Sequence, residues 1–214
     1  MTLENKSNKL YRKYKKAARI LRLKPYYQEQ RGSAFAERLQ MISSRLADDD
    51  ASLIDIGCNI GQFTAAMARR GLFAIGIDAQ EEAVDHARRL YRDVPNLGFV
   101  WSEFGLDTAR RLPSADVIFC LSVHHYWTRE HGEDISWKVI AELAGRSRKL
   151  FFEPASSHRR YGKVTPEFTE NDEASIEQYV RRNFARAAPG KTVERLGSTA
   201  SIRNEAFRTL YLVS

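Results

Sequence analysis

Short apolar runs alternate with longer amphipathic stretches along the chain after residue 32. Seven runs have the length and content of strands: residues 52–56, 73–77, 97–101, 115–121, 149–153, 192–196 and 207–213. Five stretches have apolar positions at helical spacing: residues 33–46, 61–70, 80–92, 134–145 and 172–184. This alternation predicts a doubly wound α/β fold, in which a mostly parallel sheet carries helices on both faces and ligands bind at the carboxyl ends of the strands.

The N-terminal segment has a different character. Between Lys6 and Lys24 it has nine basic residues and no acidic residue, so that by difference from the net charge of +7 the rest of the chain carries −2. An apolar stripe at helical spacing runs through the same segment: Leu10, Tyr14, Ala17 and Leu21. The pattern predicts a basic amphipathic helical extension over residues 1–32, followed by the α/β domain over residues 33–214.

Three roles are open for this extension. The helix could pack its apolar stripe on the α/β domain, lie on an anionic membrane surface, or follow the phosphates of a nucleic acid. The chain has no apolar stretch of about 18 residues and no signal-peptide core, so we expect a cytoplasmic protein, peripheral to the inner face of the membrane if the helix binds lipid. Cys58 and Cys120 fall at the ends of predicted buried strands and indicate neither a disulfide framework nor a metal site.

A glycine turn follows the first strand. The strand delivers Asp55, turns through Gly57 and Gly61, and is followed by a second strand that ends in Asp78. Two acids and a glycine turn at these positions are typical of a nucleoside site, where the second acid binds the ribose hydroxyls. Asn59 occupies the place where a dinucleotide fingerprint needs glycine, and no phosphate loop ending in Gly-Lys-Ser/Thr is present, so NAD, FAD and ATP are disfavoured.

Chemically active side chains follow the fourth and fifth strands. The fourth strand continues into SVHHYWTREHG, which contains Ser122, His124 and His125, and the fifth strand ends in Glu153. If the substrate reacts through a neutral hydroxyl, that hydroxyl needs a general base to remove its proton. We expect His124 or His125 in that role, with Glu153 orienting the ring or accepting the proton itself. A substrate that reacts through a phosphate oxygen is already anionic and needs no base. The predicted acceptor-binding residues are Tyr126, Arg159, Arg160, Tyr161 and Lys163.

The segments LIDIGCNIGQFT and AIGID resemble the first two motifs of class I S-adenosylmethionine (SAM) dependent methyltransferases. This resemblance implies SAM as the cofactor and a Rossmann-like sheet of seven strands, the last of them antiparallel. It also implies that Asp78 binds the ribose diol and that Glu103 and Phe104 contact the adenine. The cofactor-binding residues that it implies are Arg38, Asp55, Gly57, Asn59, Gly61, Phe63, Asp78, Ala79, Glu103, Phe104, Leu121 and Ser122.

A narrower resemblance concerns the acceptor. LIDIGCNIGQFT, AIGID, CLSVHHYWTREHG and the final LYLVS are similar to the methyltransferase domain of O-antigen chain-terminating enzymes, which methylate a sugar hydroxyl or a phosphate at the end of a lipopolysaccharide glycan. FFEPASSHRRYGK also resembles a segment of the RNA 5′-phosphate methyl-capping enzymes. These resemblances imply O-methylation of a surface glycan or glycolipid, with an RNA or a small molecule as the alternative acceptor. The acidic balance outside the extension disfavours RNA.

Two further interpretations remain open. A methyltransferase-like scaffold would bind SAM or a partner without turnover, and the sequence alone does not set an oligomeric state. A metal-assisted variant would use His124, His125, His131 and Glu153. Because the spacing of these residues across separate loops matches no metal motif, we expect no metal site.

Overall fold

The computed structural model describes residues 32–169, 172–200 and 207–214. The strands are β1 (Ser52–Ile56), β2 (Phe73–Asp78), β3 (Leu97–Trp101), β4 (Ala115–Leu121), β5 (Ser147–Glu153), β6 (Val193–Ala200) and β7 (Phe207–Val213). The α-helices are α1 (Gly32–Ser43), α2 (Gln62–Ala68), α3 (Glu81–Leu90), α4 (Leu106–Arg111), α5 (His124–His131), α6 (Glu133–Gly145) and α7 (Glu173–Ala187). A 3-10 turn spans His158–Tyr161.

All seven strands form one sheet in the order β3-β2-β1-β4-β5-β7-β6. Strands β1 to β5 pair in parallel, whereas β7 pairs antiparallel with both β5 and β6. The predicted mostly parallel sheet and its antiparallel last strand are therefore confirmed. The strand order reverses between β1 and β4, and in such sheets the ligand crevice lies at the carboxyl ends of the strands beside that reversal.

The two faces of the sheet carry separate apolar cores. On one face Ile54, Ile118 and Phe152 pack with residues of α6 and α7, including Trp137 and Tyr179. On the other face, the strand residues pack with helices α1 and α2; this second core includes Ile42, Leu53, Met67, Phe119 and Phe151. Burial of strand residues on both faces explains why β1 and β4 appear in the sequence as continuous apolar runs.

Element boundaries follow the apolar pattern closely, with two exceptions. The bounds of β1, β3 and β4 agree with the prediction at both ends. The sequence analysis missed two short helices, α4 and α5, since it assigned no element between the third and fourth strands and treated the histidine segment as a loop. The predicted helix over residues 1–32 lies outside the described residues apart from Gly32, and the boundary between extension and domain stays a prediction. No helix in the described part of the chain is long and apolar enough to cross a bilayer.

Candidate active site

The turn after β1 is held by the acid at the end of β2. The backbone N–H of Asn59 donates to Asp78 Oδ2 at 2.7 Å, and the N–H of Gln80 donates to Oδ1 at 2.8 Å. Asn59 itself has a left-handed backbone, with φ of 52°. The Asp78 carboxylate therefore fixes the turn through the hydrogen bond that its Oδ2 accepts from Asn59. Each carboxylate oxygen has a second lone pair, which can accept a hydrogen bond from a ligand hydroxyl.

Gly57 and Gly61 are required by packing as well as by backbone conformation. Both have positive φ, at 71° and 75°. A Cβ built at Gly57 would overlap with the Val123 side chain, and one at Gly61 would overlap with the Phe99 ring. The sequence analysis explained these glycines by the approach of a ligand, whereas in the structure they also allow the turn to contact β3 and the segment after β4.

Asp55 is a buried acid beside this turn. Its Oδ2 accepts a hydrogen bond from Thr64 Oγ1 at 2.6 Å, and the carboxyl group is 3% exposed. Burial raises the pKa of Asp55 to about 7, against the opposing effect of the Thr64 hydrogen bond, and the nearby charge of Asp78 raises it further. Its charge therefore changes near neutral pH, and a cationic group on a bound ligand would favour the ionised form.

A buried ion network occupies the ends of β4 and β5. Arg38 Nη1 donates to both oxygens of Glu153, at 3.0 and 3.2 Å, while Arg208 Nη1 donates to Glu153 Oε1 at 3.2 Å. The hydroxyl of Ser122 donates to Glu153 Oε1 and accepts from Arg208 at 2.9 Å. Although burial alone would raise it, the two guanidiniums and the hydroxyl hold the pKa of Glu153 below its usual range. Glu153 is therefore an ionised anchor for two arginines.

This network changes the role that the sequence suggested for Glu153. Among the described residues its hydrogen bonds go to Arg38, Arg208 and Ser122, and no histidine is among them. It therefore does not orient a histidine ring. Arg38 also lies over the Phe63 ring, with its Cζ 4.8 Å from the centroid, which keeps it next to the predicted cofactor-binding helix α2. Ser122 has φ of 60°, a strained conformation for a residue with a side chain.

His124, one of the two histidines predicted as the general base, is a core residue in the structure. It is fully buried, and its ring lies 4.8 Å from Trp137, 5.7 Å from Phe152 and 5.8 Å from Tyr161, measured between centroids. Neither ring nitrogen has a hydrogen-bond partner among the described residues. Burial lowers the pKa of His124 to about 3, and the neighbouring His125 contributes. The ring is thus neutral and separated from any acceptor.

His125 lies closer to the surface of the site but is still 3% exposed. Its ring stacks on Tyr126 at 4.1 Å between centroids. Burial lowers the pKa of His125 to about 3, and the positive charges of Arg160, Arg129 and Arg208 lower it further. A general base is most effective when its pKa is near the working pH, so His125 is poorly suited to that role.

The predicted acceptor-binding residues separate into two groups. Tyr161 is fully buried, and its hydroxyl accepts the N–H of Ala155 at 3.1 Å, so it supports the core and does not reach an acceptor. Tyr126 is 50% exposed beneath the guanidinium of Arg129, whose Cζ lies 5.2 Å from the ring centroid. The remaining three keep at least part of their surface exposed: Arg159, Arg160 and Lys163.

The sequence analysis missed two arginines near His125. Arg129 lies on α5, which was not predicted, and Arg208 is the second residue of β7. The position of Arg208 could have been predicted from the antiparallel closing strand. Such a strand starts at the edge of the sheet where its parallel neighbours end, so a residue at its start lies close to the predicted site.

The loop after β3 is fixed to α5. Trp127 Nε1 donates to the carbonyl of Phe104 at 2.7 Å, and the two rings lie 5.9 Å apart. Of the residues predicted to contact the adenine, Phe104 is partly buried and Glu103 is exposed. Ala79, another predicted cofactor-binding residue, is also exposed. In the described part of the chain, no group of three or more His, Cys, Asp or Glu side chains is arranged to hold a metal ion.

Comparison with known proteins identifies the class. A family described as a methyltransferase domain matches residues 54–146. The magnesium protoporphyrin IX methyltransferase ChlM from Synechocystis PCC 6803, crystallised with bound SAM, matches with a TM-score of 0.58 and 17% identity over 89% of this chain and 84% of its own. The match over residues 54–146 and the shared fold support a class I SAM-dependent methyltransferase, with SAM as the cofactor.

A second relative is a bifunctional enzyme. The O-antigen chain terminator bifunctional methyltransferase/kinase WbdD from Escherichia coli is 27% identical over 131 residues, which are 56% of this chain and 18% of WbdD. A crystal structure of WbdD matches with a TM-score of 0.68 and 22% identity over 89% of this chain and 43% of that one. This chain therefore spans less than a fifth of the length of its curated relative.

The turn and the strand ends fit SAM. A SAM molecule would be held by Asp78 at the ribose, by the Gly57–Gly61 turn along its methionine part, and by Glu103 and Phe104 around the adenine. The Gly57–Gly61 turn has positive φ angles, and Glu103 is exposed after β3.

Replacement of Asp78 by alanine is expected to weaken binding of SAM and of its product S-adenosylhomocysteine by roughly 100-fold or more. The change removes the acceptor for the ribose hydroxyls, each charge-assisted bond being worth about 1.5–3 kcal/mol, and also frees the turn at Asn59. Isothermal titration with S-adenosylhomocysteine measures the effect. Asp85→Ala on α3, an exposed acid paired with Arg88, is the control and should bind normally. A loss of less than about threefold in Asp78→Ala would place the ribose elsewhere.

Proposed function

We propose that this enzyme transfers a methyl group to an anionic oxygen, specifically a phosphate at the end of a surface glycan or glycolipid. The observation that carries the proposal is the positive charge around His125: its ring contacts Tyr126, which lies beneath Arg129, and the charges of Arg160, Arg129 and Arg208 all act on it. Such surroundings favour an anion and disfavour the protonation of a base. WbdD is an O-antigen chain terminator by description, which supports a glycan as the acceptor.

None of the three predicted catalytic residues is arranged to remove a proton. His124 is enclosed by aromatic rings, His125 has a depressed pKa, and Glu153 is bound by two guanidiniums. When bound, SAM supplies an electrophilic methyl group on a sulfonium. A phosphate oxygen is already a nucleophile, so the protein needs only to position it and balance its charge. The arginines around His125 are suited to both tasks.

A sugar hydroxyl is the second candidate acceptor. The observation in its favour is His125 Nδ1, a buried atom that has no hydrogen-bond partner among the described residues. An RNA acceptor, and a membrane contact through residues 1–32, depend on the segment outside the described residues and stay predictions.

Replacement of His125 by glutamine distinguishes the two candidates. For an anionic acceptor we expect the rate of methyl transfer to stay within about tenfold of the unchanged enzyme, since no proton transfer is lost. For a hydroxyl acceptor the loss of a general base should cost about 10²- to 10⁴-fold. The measurement is transfer of labelled methyl from saturating SAM into the lipid-linked glycan fraction of a lysate.

His131→Gln is the matched control, because that histidine is also on α5 but its side chain is 44% exposed and its near neighbour is Glu130. Both variants should bind S-adenosylhomocysteine as the unchanged enzyme does. A loss of 100-fold or more in His125→Gln alone, with cofactor binding intact, would contradict the phosphate proposal and support the sugar hydroxyl.

A further inference from the structure

Arg208 reaches the site from the far end of the sequence. It is the second residue of β7, and β7 pairs antiparallel with β5 so that Phe152 lies opposite Tyr211. In this register the start of β7 lies beside the carboxyl end of β5. The guanidinium therefore lies at the edge of the sheet where ligands bind, next to Ser122 and Glu153.

The network around Arg208 has an excess of positive charge. Two guanidiniums, from Arg38 and Arg208, share the single carboxylate of Glu153. All three residues are buried, at 3%, 8% and 0% exposure. Buried charges in proteins are normally balanced by a partner, and the unbalanced unit of charge here is suited to an anion that arrives with a ligand.

The two arginines differ in how they are held. Arg38 is fixed on several sides, because its Nε donates to the Ala34 carbonyl, its Nη1 to Glu153, and its plane covers Phe63. The hydrogen bonds that Arg208 makes with other described residues all come from Nη1. The other guanidinium nitrogens make no hydrogen bond with a described residue, which leaves their donors for a ligand. Arg208 is also one of the charges that act on His125, whereas Arg38 lies toward α2 and the predicted cofactor site.

We propose that Arg208 is a specificity-determining residue that binds an anionic oxygen of the acceptor, and that Glu153 and Ser122 hold its guanidinium in position for that contact. The inference deepens the proposed function and rests on it for the identity of the acceptor. It assigns to the C-terminal hairpin β6–β7 a direct part in acceptor recognition. Arg38 is left to hold the opposite side of the Glu153 carboxylate.

The test uses inorganic phosphate as the probe, with the full chain saturated with S-adenosylhomocysteine. Isothermal titration should detect phosphate binding to the unchanged enzyme, and Arg208→Gln should weaken it by about 10- to 100-fold, the effect of losing one charge-assisted contact. Binding of S-adenosylhomocysteine itself should change by less than about threefold. Arg195→Gln, which removes an arginine on the neighbouring strand that pairs with Glu173, is the control and should leave both affinities unchanged.

Arg208→Lys keeps the test valid if Arg208→Gln does not fold. Lysine preserves the charge but lacks the planar pair of donors, so we expect an intermediate loss of phosphate affinity and a raised KM for the acceptor with kcat nearly unchanged. An equal loss of phosphate and S-adenosylhomocysteine binding in either variant would instead assign Arg208 to the cofactor carboxylate. Phosphate binding that is undetectable in the unchanged enzyme, or unaffected in both variants, would overturn the inference.

Failure of this inference is distinguishable from failure of the proposed function. If glycan phosphate is methylated but phosphate affinity does not depend on Arg208, only the role of Arg208 is wrong. If phosphate binding depends on Arg208 but no phosphorylated glycan is methylated, the subsite stands and the acceptor must be another anionic molecule.

Discussion

Replacement of Glu153 by glutamine is expected to lower the free energy of unfolding by about 3–5 kcal/mol. Glutamine has nearly the same shape but no charge, so the buried guanidiniums of Arg38 and Arg208 would lose their shared counter-charge. Removal of one member of a buried ion network lowers the stability by more than the intact network contributes to it. The remaining charge is left buried without a partner and without water. Urea denaturation of the unchanged protein and of the variant measures the difference.

Glu194→Gln provides a matched control for this experiment. Glu194 also pairs with an arginine, Arg45, but both side chains are more than 40% exposed, at 47% and 41%. Exposed pairs contribute about 0–1 kcal/mol, so this variant should unfold at nearly the same urea concentration. If Glu153→Gln costs no more than Glu194→Gln, then Glu153 is not the anchor of the two arginines and the positioning role proposed for it is wrong.

Acid pH is expected to destabilise this protein strongly through two histidines. The folded state holds the pKa of His124 and of His125 at about 3, because both rings are buried. In the unfolded chain a histidine has a pKa of about 6.5, so between about pH 6.5 and pH 3 the unfolded state binds the additional protons. Stability should therefore fall as the pH is lowered through this window, by about 1.4 kcal/mol per pH unit for each histidine.

His124→Phe isolates the contribution of one ring. Phenylalanine keeps an aromatic side chain against Trp137, Phe152 and Tyr161 but does not titrate. Urea denaturation between pH 4 and pH 6 should show a slope that is shallower by about 1.4 kcal/mol per pH unit in this variant. His131→Phe, at an exposed position of the same helix, is the control. An identical slope in His124→Phe and the unchanged protein would mean that His124 is not held neutral by the fold.

Much of the fold could be predicted because a strand that is buried on both faces of the sheet appears in the sequence as a continuous apolar run. Strands β1 and β4 are continuous apolar runs, and their bounds were predicted at both ends. Helix α5 was missed because its histidines and aromatic residues are weak helix formers, and its apolar face is completed by Trp137, Phe152 and Tyr161 from other elements. Tertiary packing, which no local pattern records, determines that helix.

The cofactor half of the site was more predictable than the acceptor half. Asp78 and the Gly57–Gly61 turn belong to one continuous βαβ segment. Because the geometry of such a unit is regular, their separation along the sequence is enough to predict that they lie close together. The ion network beside the proposed acceptor site joins Glu153 of β5 to Arg208 of β7, 55 residues further along the chain, and to Arg38 of α1, 115 residues before it. The sequence alone does not give the order of the strands in the sheet. It therefore cannot indicate that Glu153, predicted to act on a histidine, is instead bound between Arg38 and Arg208.

The same arrangement is the basis for proposing an anionic acceptor rather than a hydroxyl. An enzyme that removes a proton needs an accessible group of near-neutral pKa, and the buried histidines and the arginine-bound Glu153 do not provide one. Several guanidiniums near His125 provide what an anionic oxygen needs. The account therefore depends on the charge of the acceptor before methyl transfer begins.

The most direct measurement of that claim is the incorporation of labelled methyl from SAM into lipid-linked glycan, with half of the glycan treated beforehand with a phosphatase. Cell RNA and small-molecule fractions are assayed in parallel. The account predicts label in the untreated glycan and its loss after phosphatase treatment. Equal label in treated and untreated glycan, or label confined to the RNA or small-molecule fraction, would contradict it.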